Sequence, residues 1–350
     1  MSTEFVSDVS DDHDEPQGIE PEELTKLLDD VRDLIARYIV VDDEAIDMLA
    51  LWVAHTYVFH EFDVTPYLAI TSPTKRSGKT NLLTILEAIC ADAFTVVHTS
   101  TAALYRQIEA KQPTLLFDEM DMAKLTKAQQ GILHSGYKKG ATVTVANGRG
   151  GVRRLKVYCP KAFASIGRPL SSTMIDRSIQ VFMARKRPQD VVERMSTRKL
   201  NALAEELELI DRLTNYRAEF VIPEVDPEMP DELNDREFEL WLPLFVIAEQ
   251  AGEEWARRCW SACLKLTEIN RQEEVDETVL LLRDIQTAFG GKTKLFSEDL
   301  LSLLQGLDDP QYDGLAKNAT PTGSAQTPDG PGVCPAHPHG CCCVTGSLRD

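Results

Sequence analysis

The chain has 350 residues, 43% of them apolar and 27% charged. That is enough to bury a large core, which excludes a wholly disordered chain and a disulfide-stapled mini-protein. The 37 Lys/Arg and 56 Asp/Glu give a net charge of −19, which argues against coating nucleic acid through overall charge. The charge is unevenly spread, however: from Leu68 to Leu200 there are 22 basic and 9 acidic residues, a net of +13, and the remainder carries −32.

Residues 1–20 hold seven acids, no Lys or Arg and no apolar run of the kind a secretion signal needs. They are expected to form a disordered acidic leader on a cytoplasmic protein. Pro21 opens a helical prefix, residues 21–62. Glu22 and Glu23 stand at the positive end of its first helix, and Leu24, Leu27, Leu28, Val31, Leu34, Ile35 and Tyr38 share one face. A second helix is expected from Asp43 to Phe62. Its apolar stretch Ala45–Phe59 is interrupted by Asp47 and His55 and is shorter than the roughly 20 residues that span a bilayer, so it reads as a buried helix and no membrane partner is expected. Trp52, His55 and Tyr57 on it are core residues or the lining of an adenine pocket.

Residues 63–188 alternate short apolar runs with helix-like segments, the pattern of an α/β unit with a mostly parallel sheet. The runs are Tyr67–Thr71, Phe94–His98, Thr114–Phe117, Thr142–Val145, Lys161–Ile166 and Ser178–Ala184. Residues 189–275 read as a helical lid with long helices over Val191–Ile210 and Phe238–Leu266, and residues 276–313 as a further ordered segment with a capped helix start near Phe296. Cys90, Cys159, Cys259 and Cys263 are reduced core cysteines. In residues 314–350, 11 of 37 positions are Gly or Pro, and an unstructured tail is expected. Its Cys334, Cys341, Cys342 and Cys343 beside His337 and His339 fit no standard tetrahedral metal spacing.

Chemistry concentrates in the basic core. The strand Tyr67–Thr71 runs into Ser72-Pro73-Thr74-Lys75-Arg76-Ser77-Gly78-Lys79-Thr80-Asn81 and then an apolar helix, which resembles the phosphate-binding P-loop. Such a loop wraps polyphosphate with its amides, reaches the outer phosphates with Lys79 and offers the Thr80 hydroxyl to Mg²⁺. Pro73 replaces the first Gly of that pattern and lacks an N–H, so the entry must turn differently. The strand Thr114–Phe117 ends in Asp118 and Glu119 and resembles a Walker B motif, with Asp118 for Mg²⁺ and Glu119 to polarise the attacking water. Between Tyr137 and Tyr158 lie Lys138, Lys139, Arg149, Arg153, Arg154 and Lys156 and no acid, flanking the turn Asn147–Gly151. This is a basic β-hairpin suited to nucleic-acid phosphates, or an edge hairpin that uses charge against aggregation. Ser165 ends the next strand as a polar sensor of phosphate or water, or as a satisfied buried serine. Arg177 precedes the last strand, placed to reach a neighbouring subunit's nucleotide or to pair with Asp176. Arg185, Lys186 and Arg187 form a solvated strand exit or a second phosphate patch.

Together with Ala50–Thr56, Cys159–Ala162, Ile166–Leu170, Ile175–Ile179 and Trp241–Leu244, these motifs resemble an actinobacterial and phage ATPase domain family of unknown function, over roughly residues 40–310. The resemblance makes the Ser72-Pro73 entry a family trait. The layout is also similar to that of superfamily 3 and minichromosome-maintenance helicases of the AAA+ class. It implies an AAA+-like P-loop fold and an ATP- and Mg²⁺-dependent homo-oligomeric ATPase acting on DNA. It also implies that residues 276–313 begin a winged-helix-like segment, which leaves the tail as the product of a truncation or frameshift. A nucleotide-gated regulatory protein that moves no strand is the alternative.

Overall fold

The computed structural model describes residues 19–96, 100–118, 125–147, 151–167, 170–289, 294–296, 299–300, 302–303 and 343–345. The described residues up to Thr267 form one compact unit, and those from Glu268 onward form a second. The acidic leader therefore lies almost wholly outside the described residues.

Helix α1 (Pro21–Tyr38) buries the seven apolar residues that its periodicity puts on one face. Helix α2 (Asp43–Val58) is buried from Ala45 to Val58, and a 3-10 turn over Phe59–Glu61 closes it. The core then unrolls as β1 (Tyr67–Ser72), α3 (Lys79–Ile89), β2 (Phe94–Val96), α4 (Thr101–Lys111), β3 (Leu115–Phe117) and α5 (Lys127–Ser135). The hairpin strands β4 (Thr142–Asn147) and β5 (Gly151–Lys156) follow. Next come β6 (Lys161–Ile166), the single turn α6 (Ser172–Ile175) and β7 (Ser178–Phe182). The central sheet has five parallel strands in the order β2-β3-β6-β1-β7. The strand that precedes the loop is thus an interior strand, flanked by β6 and β7, and all six of its residues are buried. Side chains alternate across the sheet. One face carries Tyr67, Phe163 and Phe117, with Tyr67 edge-on to Phe163 at 5.6 Å and Phe163 stacked on Phe117 at 5.2 Å, and the Tyr67 hydroxyl donates to Leu133 O of α5 at 3.0 Å.

The lid comprises α7 (Thr197–Glu206), α8 (Leu209–Glu219), α9 (Asp235–Gln250) and α10 (Glu253–Phe289). It differs from the expected pair of long helices at three places. Residues 191–196 carry no helix until Ser196 caps α7, and Glu208 in left-handed geometry separates α7 from α8. Gly252, at φ 99°, separates α9 from α10, the conformation glycine adopts without steric cost. Prefix and lid are not independent pieces: α1 packs on α2 and α8, and α2 on α8 and α9, all within the first unit. Ion pairs link them, Arg212 to Asp30, Arg258 to Asp29 at 3.0 Å, and Lys265 to Glu44 at 2.8 Å.

In the second unit, residues 276–289 continue α10. Strand β8 (Lys294–Phe296) covers the position where a helix start was expected, with helical residues only from Asp299. It pairs antiparallel with β9 (Cys343–Thr345), so this much of the tail has backbone order; Cys334, His337, His339, Cys341 and Cys342 lie outside the described residues. Among the described residues, no helix is long and apolar enough to cross a membrane.

Candidate functional site

The carboxyl end of β1 is fixed on both sides, because Gly167 N–H donates to Ser72 O at 2.9 Å and Met183 N–H to Thr71 O at 2.8 Å. From there Pro73–Arg76 turn through solvent, Ser77 and Lys79 return to a buried position, and Thr80 and Asn81 are exposed on the first turn of α3. Pro73 has no N–H to close the entry, and the Ser72 hydroxyl does so instead by donating to Thr74 O at 2.8 Å. Two left-handed residues complete the turn, Arg76 at φ 67° and Gly78 at φ 95°. Gly78 accepts that geometry freely, whereas at Arg76 it stores strain. The Lys79 ammonium folds back into this ring and donates to Ser72 Oγ and, at 3.2 Å, to Ser77 Oγ. Gly78 is the N-cap of α3 with no side-chain cap, so the helix begins with uncapped amides at its positive end, next to a buried lysine.

Asp118 is brought to this loop from β3, which β6 separates from β1 in the sheet. Thr80 Oγ1 donates to Asp118 Oδ2 at 3.1 Å. A hydroxyl and a carboxylate held together at a strand end are hard oxygen donors, and Mg²⁺ takes one or two such ligands while keeping several waters. The residues present therefore fit that ion. Glu119 lies outside the described residues.

Ser165 stands opposite Thr71 in the β1–β6 register. Alternation places it on the face of Phe163, away from that of Ser72. Ser165 Oγ and Thr71 Oγ1 are buried without hydrogen-bond partners among the described residues. Ser165 is thus not a serine already satisfied by backbone, and two hydroxyls remain available one residue below the loop.

The hairpin forms as expected, with Val143 opposite Leu155 and Val145 opposite Arg153. Leu155 faces inward, and Arg153, Arg154 and Lys156 are exposed. Two of the cations are already paired: Arg153 with Glu109 of α4 at 2.8 Å and Lys138 with Glu239 at 3.7 Å. Lys139, Arg154 and Lys156 are exposed, and Arg149 lies outside the described residues.

Arg177 is not brought to the loop. Ser178 registers with Tyr67 at the amino end of the sheet, roughly 16 Å along the strands from Ser72 at about 3.3 Å per residue. A carbonyl and an aromatic ring hold it, rather than Asp176: it donates to Thr173 O at 2.9 Å and lies 4.6 Å over the Tyr137 ring. Burial raises the Tyr137 hydroxyl, but hydrogen bonds and charge from Arg236 and Arg177 outweigh it and leave Tyr137 below the usual tyrosine range.

Trp52, His55 and Tyr57 are core residues, not a nucleotide pocket. Trp52 Nε1 donates to Pro66 O at 2.9 Å, His55 Nε2 bonds Thr65 Oγ1 at 3.0 Å, and the Tyr57 hydroxyl donates to Ile89 O at 3.0 Å. Full burial pushes His55 down to about 3.

Sequence reasoning missed Lys161. It is fully buried at the start of β6, donates to Gly136 O, Val157 O and Cys159 O at 3.2, 3.3 and 2.8 Å, and lies 4.8 Å over the Tyr67 ring. Burial lowers its pKa. A lysine opening an apolar strand carries no pattern that distinguishes this from a solvated end.

Residues 182–321 match a family described as a protein of unknown function, DUF3631. The match begins at the last residue of β7, so it takes in the lid helices but none of the loop, Asp118 or hairpin residues. An uncharacterized 28.9 kDa protein in a xis 5′ region of Saccharopolyspora erythraea is 32% identical over 134 residues, 37% of this chain and 48% of that protein. The chain therefore spans about half the length of this relative. Among solved structures, the A-form apo structure of the NrS-1 C-terminal region is similar at 14% identity and a TM-score of 0.36, over 95% of this chain and 78% of that one. The chemistry of the site rests on this chain's own residues.

Proposed function

We propose that the chain is a Mg²⁺-dependent P-loop ATPase of AAA+-like type, acting as a homo-oligomer on DNA in the replication or maintenance of a mobile element. The observation that carries this reading is the Thr80–Asp118 hydrogen bond across the end of β6. It joins the helix-start hydroxyl and the strand-end carboxylate, the two groups from which a nucleotide-bound Mg²⁺ is held. The site also lies at the carboxyl ends of parallel strands, where open α/β sheets bind ligands.

In this reading Lys79 exchanges the Ser72 and Ser77 hydroxyls for phosphate oxygens, and the amides of residues 74–80 follow the polyphosphate. Thr80 and Asp118 would hold Mg²⁺, which when bound neutralises phosphate charge. Glu119, next in sequence to Asp118, orients and polarises the attacking water, and the Ser165 hydroxyl is free to bond that water or the outer phosphate. Arg177, too far from its own loop, serves the nucleotide of a neighbouring copy. The hairpin contacts DNA through Lys139, Arg154 and Lys156, with Lys138, Arg149 and Arg153 as further cations.

A specific observation favours the rival, a nucleotide-gated regulatory protein that moves no strand: Arg153 and Lys138 are bound to acids of the same chain. ATP turnover with and without single- and double-stranded DNA separates the two. Stimulation by DNA that Arg154→Glu/Lys156→Glu abolishes supports the DNA-acting enzyme. Turnover indifferent to DNA, with ATP changing the oligomer mass, supports the switch.

A further inference from the structure

Three consecutive cations follow β7, and the structure separates their roles. Lys186 Nζ donates to Val192 O at 3.4 Å, and Arg187 is held by Asp190, with Nη2 to Oδ1 at 3.0 Å and its own backbone N–H to Oδ2 at 2.7 Å. Both therefore turn toward the segment that follows them. Arg185 turns the other way: its Nε donates to Lys75 O, inside the phosphate loop, at 3.0 Å.

The strand exit that carries Arg185 also packs against the loop. Met183, bonded through its N–H to Thr71 O, has its Cε 3.4 Å from where a Cβ on Gly78 would stand. The exit of β7 thus forms a wall of the loop, and Arg185 reaches over it. An arginine anchored through Nε keeps both Nη groups as donors, arranged to match two phosphate oxygens. Arg185 is exposed, so nothing on that side of the loop shields it from a bound ligand. It also lies within the family-matched residues 182–321.

We propose that Arg185 is a phosphate-contacting residue of the nucleotide site, a second cation that binds the polyphosphate of a nucleoside triphosphate in the same subunit as Lys79. The proposal rests on loop 72–80 being a nucleotide site. The geometry gives Arg185 two separable duties, to fix the loop through Lys75 O and to bind phosphate, and they have different signatures. A residue that only props the loop affects every nucleotide equally, whereas one that binds the polyphosphate matters more as phosphates are added.

The test is equilibrium binding of ATP, ADP and AMP with Mg²⁺ to the full chain, comparing the native protein with Arg185→Ala, Arg185→Lys and Arg187→Ala. Loss of one charge-assisted bidentate contact is expected to weaken ATP about 10- to 100-fold and AMP by no more than about twofold. Arg185→Lys, which keeps the charge without the fork, is expected between the two. Arg187→Ala removes the same charge two residues away and is expected to leave all three affinities within about twofold. Equal losses for ATP, ADP and AMP, or an Arg187→Ala loss matching that of Arg185→Ala, would overturn the proposal. A native chain that binds none of the three nucleotides contradicts the nucleotide site itself, which is a different result.

Discussion

Lys161 and Gly136 show how much a single position can decide in this chain. The buried ammonium serves three carbonyls, one from the end of α5 and two from the segment that joins the hairpin to β6. A Cβ on Gly136 would stand 2.2 Å from Val157 O and 2.6 Å from Lys161 Nζ. Gly136→Ala is therefore expected to destabilise by about 1–3 kcal/mol through overpacking. Lys161→Met is expected to cost about 2–4 kcal/mol, because it takes the ammonium donor from the buried carbonyls of Val157 and Cys159, whereas Gly136 O keeps the Cys159 N–H. Urea unfolding of both variants measures this, and an unchanged midpoint for Lys161→Met contradicts the clamp. His55 adds a pH dependence. It is neutral when folded, held down to about 3 by burial, while the unfolded chain protonates near the ordinary value of 6.5. Unfolding therefore takes up a proton below about pH 6.5, and stability falls with decreasing pH by up to about 1.4 kcal/mol per unit until the folded pKa is reached. Unfolding midpoints at pH 7 and pH 5 should show this loss, and His55→Gln should reduce it. Periodicity put His55 and Trp52 on a buried helix, but it could not say whether their polar atoms faced a ligand or the backbone. That depended on Pro66 and Thr65, whose positions only the folded chain sets.

At the scale of elements, the strands were readable because short β-branched and aromatic runs bounded by Gly, Pro and polar residues leave little choice. The five-strand order was not, since it depends on which edges the crossovers reach. The lid helices are shorter than periodicity alone suggests. The break at Gly252 had a local signal, a glycine following a periodic helix, whereas the break at Glu208 has none, being a left-handed residue that glycine would occupy more readily. The hairpin was legible as two strands and a basic surface, but the pairing of Arg153 with Glu109 was not, because the partner lies 44 residues away on helix α4. This pairing makes a sharp prediction about DNA. Arg154→Ala/Lys156→Ala should lower the slope of log affinity against log salt by about 1.8 for duplex DNA, at about 0.9 per phosphate contact. Glu109→Ala, which frees Arg153, should strengthen binding and steepen the slope. A Glu109→Ala protein that binds DNA no better than the native chain would mean that Arg153 is a structural residue only.

For the whole molecule, the division of charge was visible in the sequence and its use was not. The acidic residues of α1 and α2 lie partly against basic residues of the lid, in pairs such as Arg258–Asp29 and Lys265–Glu44. Such half-exposed pairs contribute at most about 1 kcal/mol each, but they orient the lid on the prefix and take up part of the negative charge outside the core. The candidate site was legible to the extent that it is local. The loop from Ser72 to Thr80 and the strand end at Asp118 could be read from neighbouring residues, whereas the latch of Lys79 onto Ser72 and the reach of Arg185 to Lys75 depend on β1 lying between β6 and β7 in the sheet. The proposed activity requires Lys79, Thr80 and Asp118 to act together on a bound triphosphate. Steady-state ATP hydrolysis by the full chain, with Mg²⁺ and with the metal chelated, for the native protein, Lys79→Ala and Asp118→Asn, tests this most directly. Hydrolysis that requires Mg²⁺ and falls at least about 100-fold in both variants is the predicted result. A native chain without turnover, or variants that hydrolyse ATP as fast as the native protein, would contradict it.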